Sequence, residues 1–390
     1  MRTTLTTLLS IVAILMSLPA YSVIVPDPPE ISAKGFILMD FQSGKIIASS
    51  QPETPLAPAS LTKVMTAYIV GLEINAGRLS WDDIVTVSVN AWSMKFPDSS
   101  KMFIQPKDEI AILDLMKGII VQSGNDACVA VAEHIAGSEE AFVGLMNEVA
   151  KSIGMNNTHY INAHGLDGES IQTSAQDMAI LMQRLIQDTP DVYKLYNIKN
   201  FTWTKITQYN RNKLLWDKSL KVDGGKTGYT EGAGYSLTAS AKEGRMRLIS
   251  VVLGTKSKRL RIEETRKLLT YGFRFFDTKN VAKQNRVEAN EVVWMGSDAA
   301  VDLGVTKDVF LTLPQDQIEQ TKKIIELDGP LKAPLIKGEV VGSVHWFFNE
   351  ELIHSEPLVT KKAVAQGSWF SRTLDSVQLF FKSIITKFSN

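Results

Sequence analysis

An α+β domain, a small all-β domain after it and a C-terminal amphipathic helix are what this 390-residue sequence predicts. Three observations carry that fold class. Strand-like segments flank a block of helical periodicities between residues 35 and 276, the order expected when helices pack on an antiparallel sheet. Residues 280–362 run as short alternating strands with turns at "LDGP" and "FNEE". The final segment, "GSWFSRTLDSVQLFFKSIITKFSN", sorts its apolar residues onto one side of a helix.

Taken in order, the chain opens with "MRTTLTTLLSIVAILMSLPAYS". Arg2, the apolar stretch Leu8–Leu18 and the small residues Ala20 and Ser22 have the make-up of a secretory signal peptide over residues 1–22. The apolar run is too short to span a bilayer comfortably, so export is expected rather than a membrane anchor at this end. The first folded domain is placed at 23–278. In it "GFILMDFQSGKIIASS" reads as two strands joined by a turn, and "SLTKVMTAYIVGLEINAG" as a helix stopped by Gly77. Helical periodicity recurs over 110–121, 124–136, 138–153 and 174–188. From about residue 219, "SLKVDGGKTGYT", "GYSLTASAKE" and "RMRLISVVLGT" read as strands, and a charged helix over about 256–276 closes the domain.

The all-β domain is placed at 279–362 and the amphipathic helix at 363–390. On a helix, Phe370, Leu374, Val377, Phe381, Ile384, Ile385 and Phe388 fall within an arc of roughly 100°, with Arg372, Asp375, Lys382 and Lys387 outside it. Those charges interrupt it too often for a membrane span. A helix lying in a membrane surface is expected, with docking on the protein's own core as the alternative.

Composition narrows the function. Lys plus Arg and Asp plus Glu number 42 each, so the chain lacks the basic footprint of a nucleic-acid binder. A single cysteine, Cys128 in "NDACVAVAEHIAG", rules out an intramolecular disulfide and reads as a buried, inert thiol. No H-E-x-x-H spacing marks a zinc peptidase, and neither a metal nor a cofactor is expected.

Three short polar motifs can carry chemistry. In "PASLTKVMTA", Ser60 and Lys63 share one helix face at i and i+3. A serine at a helix start meets unpaired backbone N–H groups that stabilise an oxyanion, and a buried lysine has its pKa lowered toward that of a base. An N-cap explains Ser60 equally well from this motif alone. In "VQSGNDACVA", Ser123 and Asn125 interrupt two apolar helices and imply a polar cavity, or else a connecting turn. Ser88 and Asn90 repeat the Ser-x-Asn spacing in a strand-and-loop context. In "VDGGKTGYT", Lys226, Thr227 and Gly228 lie on a strand expected to begin just after the two glycines. There they can bind a carboxylate and pair with an extended peptide, or else form a hairpin turn.

Together, in the order Ser-x-x-Lys, Ser-x-Asn, Lys-Thr-Gly, these motifs resemble the active-site set of the penicillin-binding and serine β-lactamase superfamily. "PASLTKVMTAY", "QSGNDACVAVAEHIAGS", "HGLDG", "NRNKLLWDKSLKVDGGKTG" and "RKLLTYGFRFF" are similar to the D-alanyl-D-alanine carboxypeptidases of the low-molecular-mass penicillin-binding proteins, the 5/6 type above all. The resemblance covers nearly the whole mature chain. It implies a serine β-lactamase/DD-peptidase-like catalytic domain that removes the terminal D-alanine of peptidoglycan stem pentapeptides and is acylated by β-lactams. It implies Ser60 as nucleophile, Lys63 as general base and Ser123 as proton relay. Asn125, Lys226, Thr227 and Gly228 would bind substrate, with backbone N–H groups of Ser60 and Tyr229 forming the oxyanion hole. Arg211 and Arg261 match arginines near the site. The implied location is the periplasmic face of the bacterial cytoplasmic membrane, held there by the C-terminal helix.

Two departures stand out. Tyr229 occupies a position where relatives often carry His, and "AWSMKFPDSSKMF" is a few residues shorter than its counterparts. Other readings are weaker. A Ser-His-Asp hydrolase would need a positioned histidine, and His164 in "NAHGLDG" fits a loop-fixing role better. A class A β-lactamase would add a glutamate for deacylation, which no Glu-x-x-Leu-Asn segment supplies here. Slow deacylation of β-lactams is therefore expected. A β-lactam sensor or cell-wall scaffold, and an endopeptidase acting on D-Ala cross-links, complete the alternatives.

Overall fold

The first hairpin already shows why this sheet must be covered twice. In the computed structural model, which describes residues 25–388, strands β1 (Gly35–Asp40) and β2 (Ile46–Ser50) pair antiparallel. Every residue of β1 is buried: Ile37 and Met39 enter one apolar core, Phe36 and Leu38 a second. Side chains alternate across a strand, so a strand that buries apolar side chains on both faces requires a layer on each. The leader expected over 1–22 lies outside the described residues.

Between the outer strands runs the helical block. It comprises α1 (Thr62–Asn75), the small ladder β3 (Ile84–Thr86) with β4 (Glu109–Ala111), then α2 (Ile112–Lys117), α3 (Asn125–Ala136), α4 (Glu139–Ser152), α5 (Ala175–Asp188) and α6 (Pro190–Lys194). The hairpin β5 (Asn200–Trp203) and β6 (Ile206–Tyr209) precedes the long strands β7 (Val222–Thr230), β8 (Gly234–Glu243) and β9 (Met246–Thr255), and α7 (Lys258–Phe275) ends the domain. The sheet order is β2-β1-β9-β8-β7, antiparallel throughout, which leaves β7 as an edge. Ile249, Val251 and Leu253 of β9 face the helical block while Leu248 and Val252 face α7.

Helix α1 is buried from Thr62 to Gly71 and has no polar face, so it runs through the domain's centre. The sequence places β7 after its two glycines, but the strand starts at Val222 and includes both, with a register irregularity between Val222 and Gly224. Close approach explains the glycines: a Cβ at 224 would press on the Tyr193 hydroxyl and one at 225 on the Thr238 backbone. The helix read over 110–121 is also shorter than expected. Residues 109–111 belong to β4, and α2 gives way to a π-helical turn over Gly118–Gln122.

The second domain has a two-stranded ribbon, β10 (Phe276–Ala282) with β13 (Val309–Pro314), beside a six-stranded sheet. The sheet order is β14 (Lys322–Leu327), β16 (Val340–Phe348), β17 (Glu351–Thr360), β12 (Ala300–Gly304), β11 (Ala289–Trp294), β15 (Leu331–Lys332). Val301, Leu303, Val344, Trp346 and Leu358 form its core. A buried polar chain joins the domains: Asp40 accepts the Ser43 and Thr278 hydroxyls at 2.8 Å each, and the Thr312 hydroxyl meets both of those at 2.6 and 2.8 Å. Helix α8 (Trp369–Phe388) follows, with Trp369, Phe370, Leu374, Val377, Phe380 and Phe381 exposed. Among the described residues no helix is long and apolar enough to cross a membrane.

The packing of α1 yields a prediction. A Cβ on Gly71 would lie 2.6 Å from the Thr189 Cβ, a stem atom that cannot swing aside. Gly71→Ala gains up to about 1 kcal/mol of helix propensity but overpacks by about 1–3 kcal/mol. Urea unfolding is expected to show net destabilisation; a more stable variant would contradict this packing.

Candidate active site

Three segments converge at the open edge of the sheet: the start of α1, the α2–α3 junction and β7. Ser60 lies in a short 3-10 turn, Ala59–Leu61, that runs directly into α1. Neither the turn nor α1 has a side-chain cap, so Ser60 does not serve as an N-cap. Its Oγ accepts instead from Lys63 Nζ at 3.1 Å. Lys63 Nζ also donates to Asn125 Oδ1 at 2.7 Å and to the His164 carbonyl at 2.5 Å. The side chain is fully buried. Burial lowers its pKa to about 8, with Arg211 pushing the same way and Asp126 opposing.

The π-helical turn after α2 delivers the second serine. Ser123 closes it in a left-handed conformation, φ 62°, and accepts from Lys226 Nζ at 2.8 Å. That backbone region costs about 1–3 kcal/mol for a residue other than glycine, a strain characteristic of functional sites. Asn125 Nδ2 donates to Ser99 Oγ at 2.9 Å, tying the junction to the loop across the cavity. Asp126 anchors that loop further: its carboxylate accepts the backbone N–H groups of Met102 and Phe103 at 2.8 Å each and of Ile104 at 3.3 Å.

Lys226 is buried and donates also to the Thr227 carbonyl at 3.1 Å. Its pKa lies well below the ordinary lysine value, from burial first and then from the charges of Lys63 and Arg211. Arg211 reaches Ser100 Oγ at 2.5 Å. Arg261, on α7, donates to the Gly228 carbonyl at 3.0 Å, and burial lowers its pKa to about 10. Ser60, Asn125, Arg211, Thr227, Gly228, Tyr229 and Arg261 line a cavity of about 550 Å³. Lys63, Ser123 and Lys226 stand behind them, each no more than 3% exposed.

The ten residues that the family resemblance assigns to the site therefore meet at one cavity, seven lining it and three behind. The competing Ser88 and Asn90 do not: both bond the Glu133 carboxylate and pin a loop to α3. His164 is held neutral by burial, its pKa down to about 3, and its Nδ1 accepts from the Leu166 N–H at 3.2 Å. It shapes the loop whose carbonyl receives Lys63. Burial pushes the Cys128 thiol up to about 12, which leaves it unreactive. The sequence reading missed Ser99, Ser100 and Asp126. Asp126 had a signal, as an acid immediately after the Ser-Gly-Asn motif. Gly165, also missed, has φ +88°, and a Cβ there would overlap the Ala59 carbonyl oxygen. Among the described residues no group of three or more His, Cys, Asp or Glu is placed to hold a metal.

A family model described as D-alanyl-D-alanine carboxypeptidase matches residues 22–257, and one described as penicillin-binding protein 5, C-terminal domain matches residues 276–366. The chain belongs to the D-alanyl-D-alanine carboxypeptidase family. Among curated members of that family, D-alanyl-D-alanine carboxypeptidase DacC of Escherichia coli is 45% identical over 359 residues, 91% of this chain and 90% of that one. The structure of penicillin-binding protein 5 from Haemophilus influenzae superposes with a TM-score of 0.85 at 43% identity, covering 87% of this chain and 100% of that one. Penicillin-binding protein D2 of Listeria monocytogenes in its ampicillin-bound form superposes with a TM-score of 0.57 at 28% identity, covering 64% of this chain and 100% of that one.

The Asp126 clamp gives the prediction for this site. Asp126→Ala strands the buried backbone donors of Met102 and Ile104, at about 1–3 kcal/mol for each one left unsatisfied, and releases the half-buried Phe103 N–H. Thermal unfolding is expected to drop measurably, together with catalytic activity, because the loop bearing Ser99 and Ser100 loses its anchor. Wild-type stability in this variant would show that the carboxylate is not the anchor.

Proposed function

We propose that the protein is a serine-type D-Ala-D-Ala carboxypeptidase acting on peptidoglycan stem pentapeptides through an acyl-Ser60 intermediate. One observation supports this most: Ser60 Oγ lines the cavity 3.1 Å from the amine of a fully buried lysine. The substrate's terminal carboxylate binds at Lys226 and Thr227, with Arg211 and Arg261 adding positive charge, and its backbone pairs along the edge strand β7 beside Gly228. A carboxylate bound beside Lys226 favours the charged form of that amine, and repulsion between the two lysines then favours neutral Lys63.

Neutral Lys63 takes the proton as Ser60 Oγ attacks the penultimate D-Ala carbonyl. The oxyanion is received by the backbone N–H groups of Ser60 and Tyr229, each such donor being worth about 10²–10³ in rate. Ser123, with Asn125 orienting substrate, passes a proton to the departing D-Ala nitrogen as the C–N bond breaks. Water then hydrolyses the ester. β-Lactams enter the same sequence, and their adducts persist, since the sequence carries no Glu-x-x-Leu-Asn segment of the kind that serves deacylation in class A β-lactamases. The exposed aromatic residues of α8 hold the enzyme on the outer face of the cytoplasmic membrane after export.

Ser60→Ala is expected to lower D-alanine release from an acyl-D-Ala-D-Ala peptide by at least about a thousandfold. The same variant should abolish the stable penicillin adduct in intact-protein mass spectrometry. Release by the variant at the wild-type rate, or rapid penicillin turnover by the wild type, would refute the assignment. Deleting residues 368–390 should leave peptide hydrolysis intact and remove co-sedimentation with anionic lipid vesicles; full retention on vesicles would reject the anchor.

A further inference from the structure

The acylation chemistry leaves one feature of the cavity wall unused. Tyr229 pairs directly across the ladder with Tyr235, and their rings stack at 4.2 Å with 23° between planes. The Arg261 guanidinium lies 5.8 Å from the Tyr235 ring and is itself held by the Gly228 carbonyl. The stack is therefore fixed at its inner end by a buried arginine. Its outer end is open: Tyr229 is 48% exposed and lines the cavity.

β7 is the edge of its sheet, so Tyr229 has a cross-strand neighbour on one side only. Directly opposite residues in an antiparallel pair hold their Cβ atoms about 4.5–5.5 Å apart. An extended ligand that pairs with β7 brings one of its own groups alongside the Tyr229 ring, as Tyr235 does from the other side. Resting on the serine-acylation reading above, we propose that the Tyr229 side chain is a specificity-determining platform for the apolar or planar group that a D-Ala-D-Ala peptide or a β-lactam carries on the amino side of its scissile carbonyl. The ring has only two side-chain torsions, and the stack already restricts them, so the contact costs little ordering on binding. This role is separate from that of the backbone N–H, which every substitution at 229 other than proline retains.

The test compares benzylpenicillin with its acetamido analogue, which keeps the bicyclic core and has a methyl group in place of the benzyl. Acylation of the wild type, Tyr229→Phe and Tyr229→Ala is resolved into an apparent dissociation constant and a limiting rate. The benzyl-over-methyl preference is expected to fall about two- to tenfold in Tyr229→Ala, through the dissociation constant, and to survive in Tyr229→Phe. An unchanged preference in Tyr229→Ala overturns the platform, as does an equal loss of limiting rate with both compounds. Failure of both compounds to acylate the wild type overturns the serine-acylation reading itself, and the platform with it.

Discussion

Burying two lysine side chains in one polar layer is the constraint that the rest of this site answers to. Lys63 and Lys226 each leave water entirely, and an isolated ammonium in such a place shifts its pKa downward rather than remain charged. Each amine must still be satisfied, and the acceptors come from three distant segments. Asn125 and the His164 carbonyl serve Lys63, while Ser123 and the Thr227 carbonyl serve Lys226. The Ser60 and Ser123 hydroxyls are thus partners of the buried amines, and binding the amines is what places the hydroxyls.

Holding those acceptors requires backbone that would not be stable alone. Ser123 sits at φ 62° and Ala59, next to Ser60, at φ 48°. Both strained residues are buried, so their surroundings hold them in place. α1, packed on all sides, fixes Lys63 from below, and Asp126 ties the facing loop to α3 by its backbone. A rigid two-layered core and a clamped loop together leave little freedom at the cavity. That is what pre-organised transition-state stabilisation demands.

Much of this was legible in the sequence because the signals are local. The i, i+3 spacing of Ser60 and Lys63, the polar break at Ser123–Asn125 and the glycine-led strand at 226–228 each stand within a few residues. The helices over 125–136, 139–152 and 175–188 lie within one or two residues of their periodicities. What stayed hidden depends on tertiary contact. Ser99 and Ser100 gain meaning only because Asn125 and Arg211 reach them from across the cavity. The π-helical turn before Ser123 has no periodic signature, and the strand start at Val222 was masked by glycines that serve close packing rather than a turn. The Ser88–Asn90 pair matched a motif yet points at Glu133, so spacing alone does not place a side chain.

The central claim is that Lys63 acts on Ser60 as a neutral base whose pKa burial has brought to about 8. Single-turnover acylation by penicillin, followed by quenched mass spectrometry between pH 6 and 10, tests it most directly. The rate constant should rise close to tenfold per pH unit below the apparent pKa, then level above pH 8–9 as the neutral amine saturates. A rate that is flat across this range, with Ser60 still acylated, would contradict Lys63 as the base.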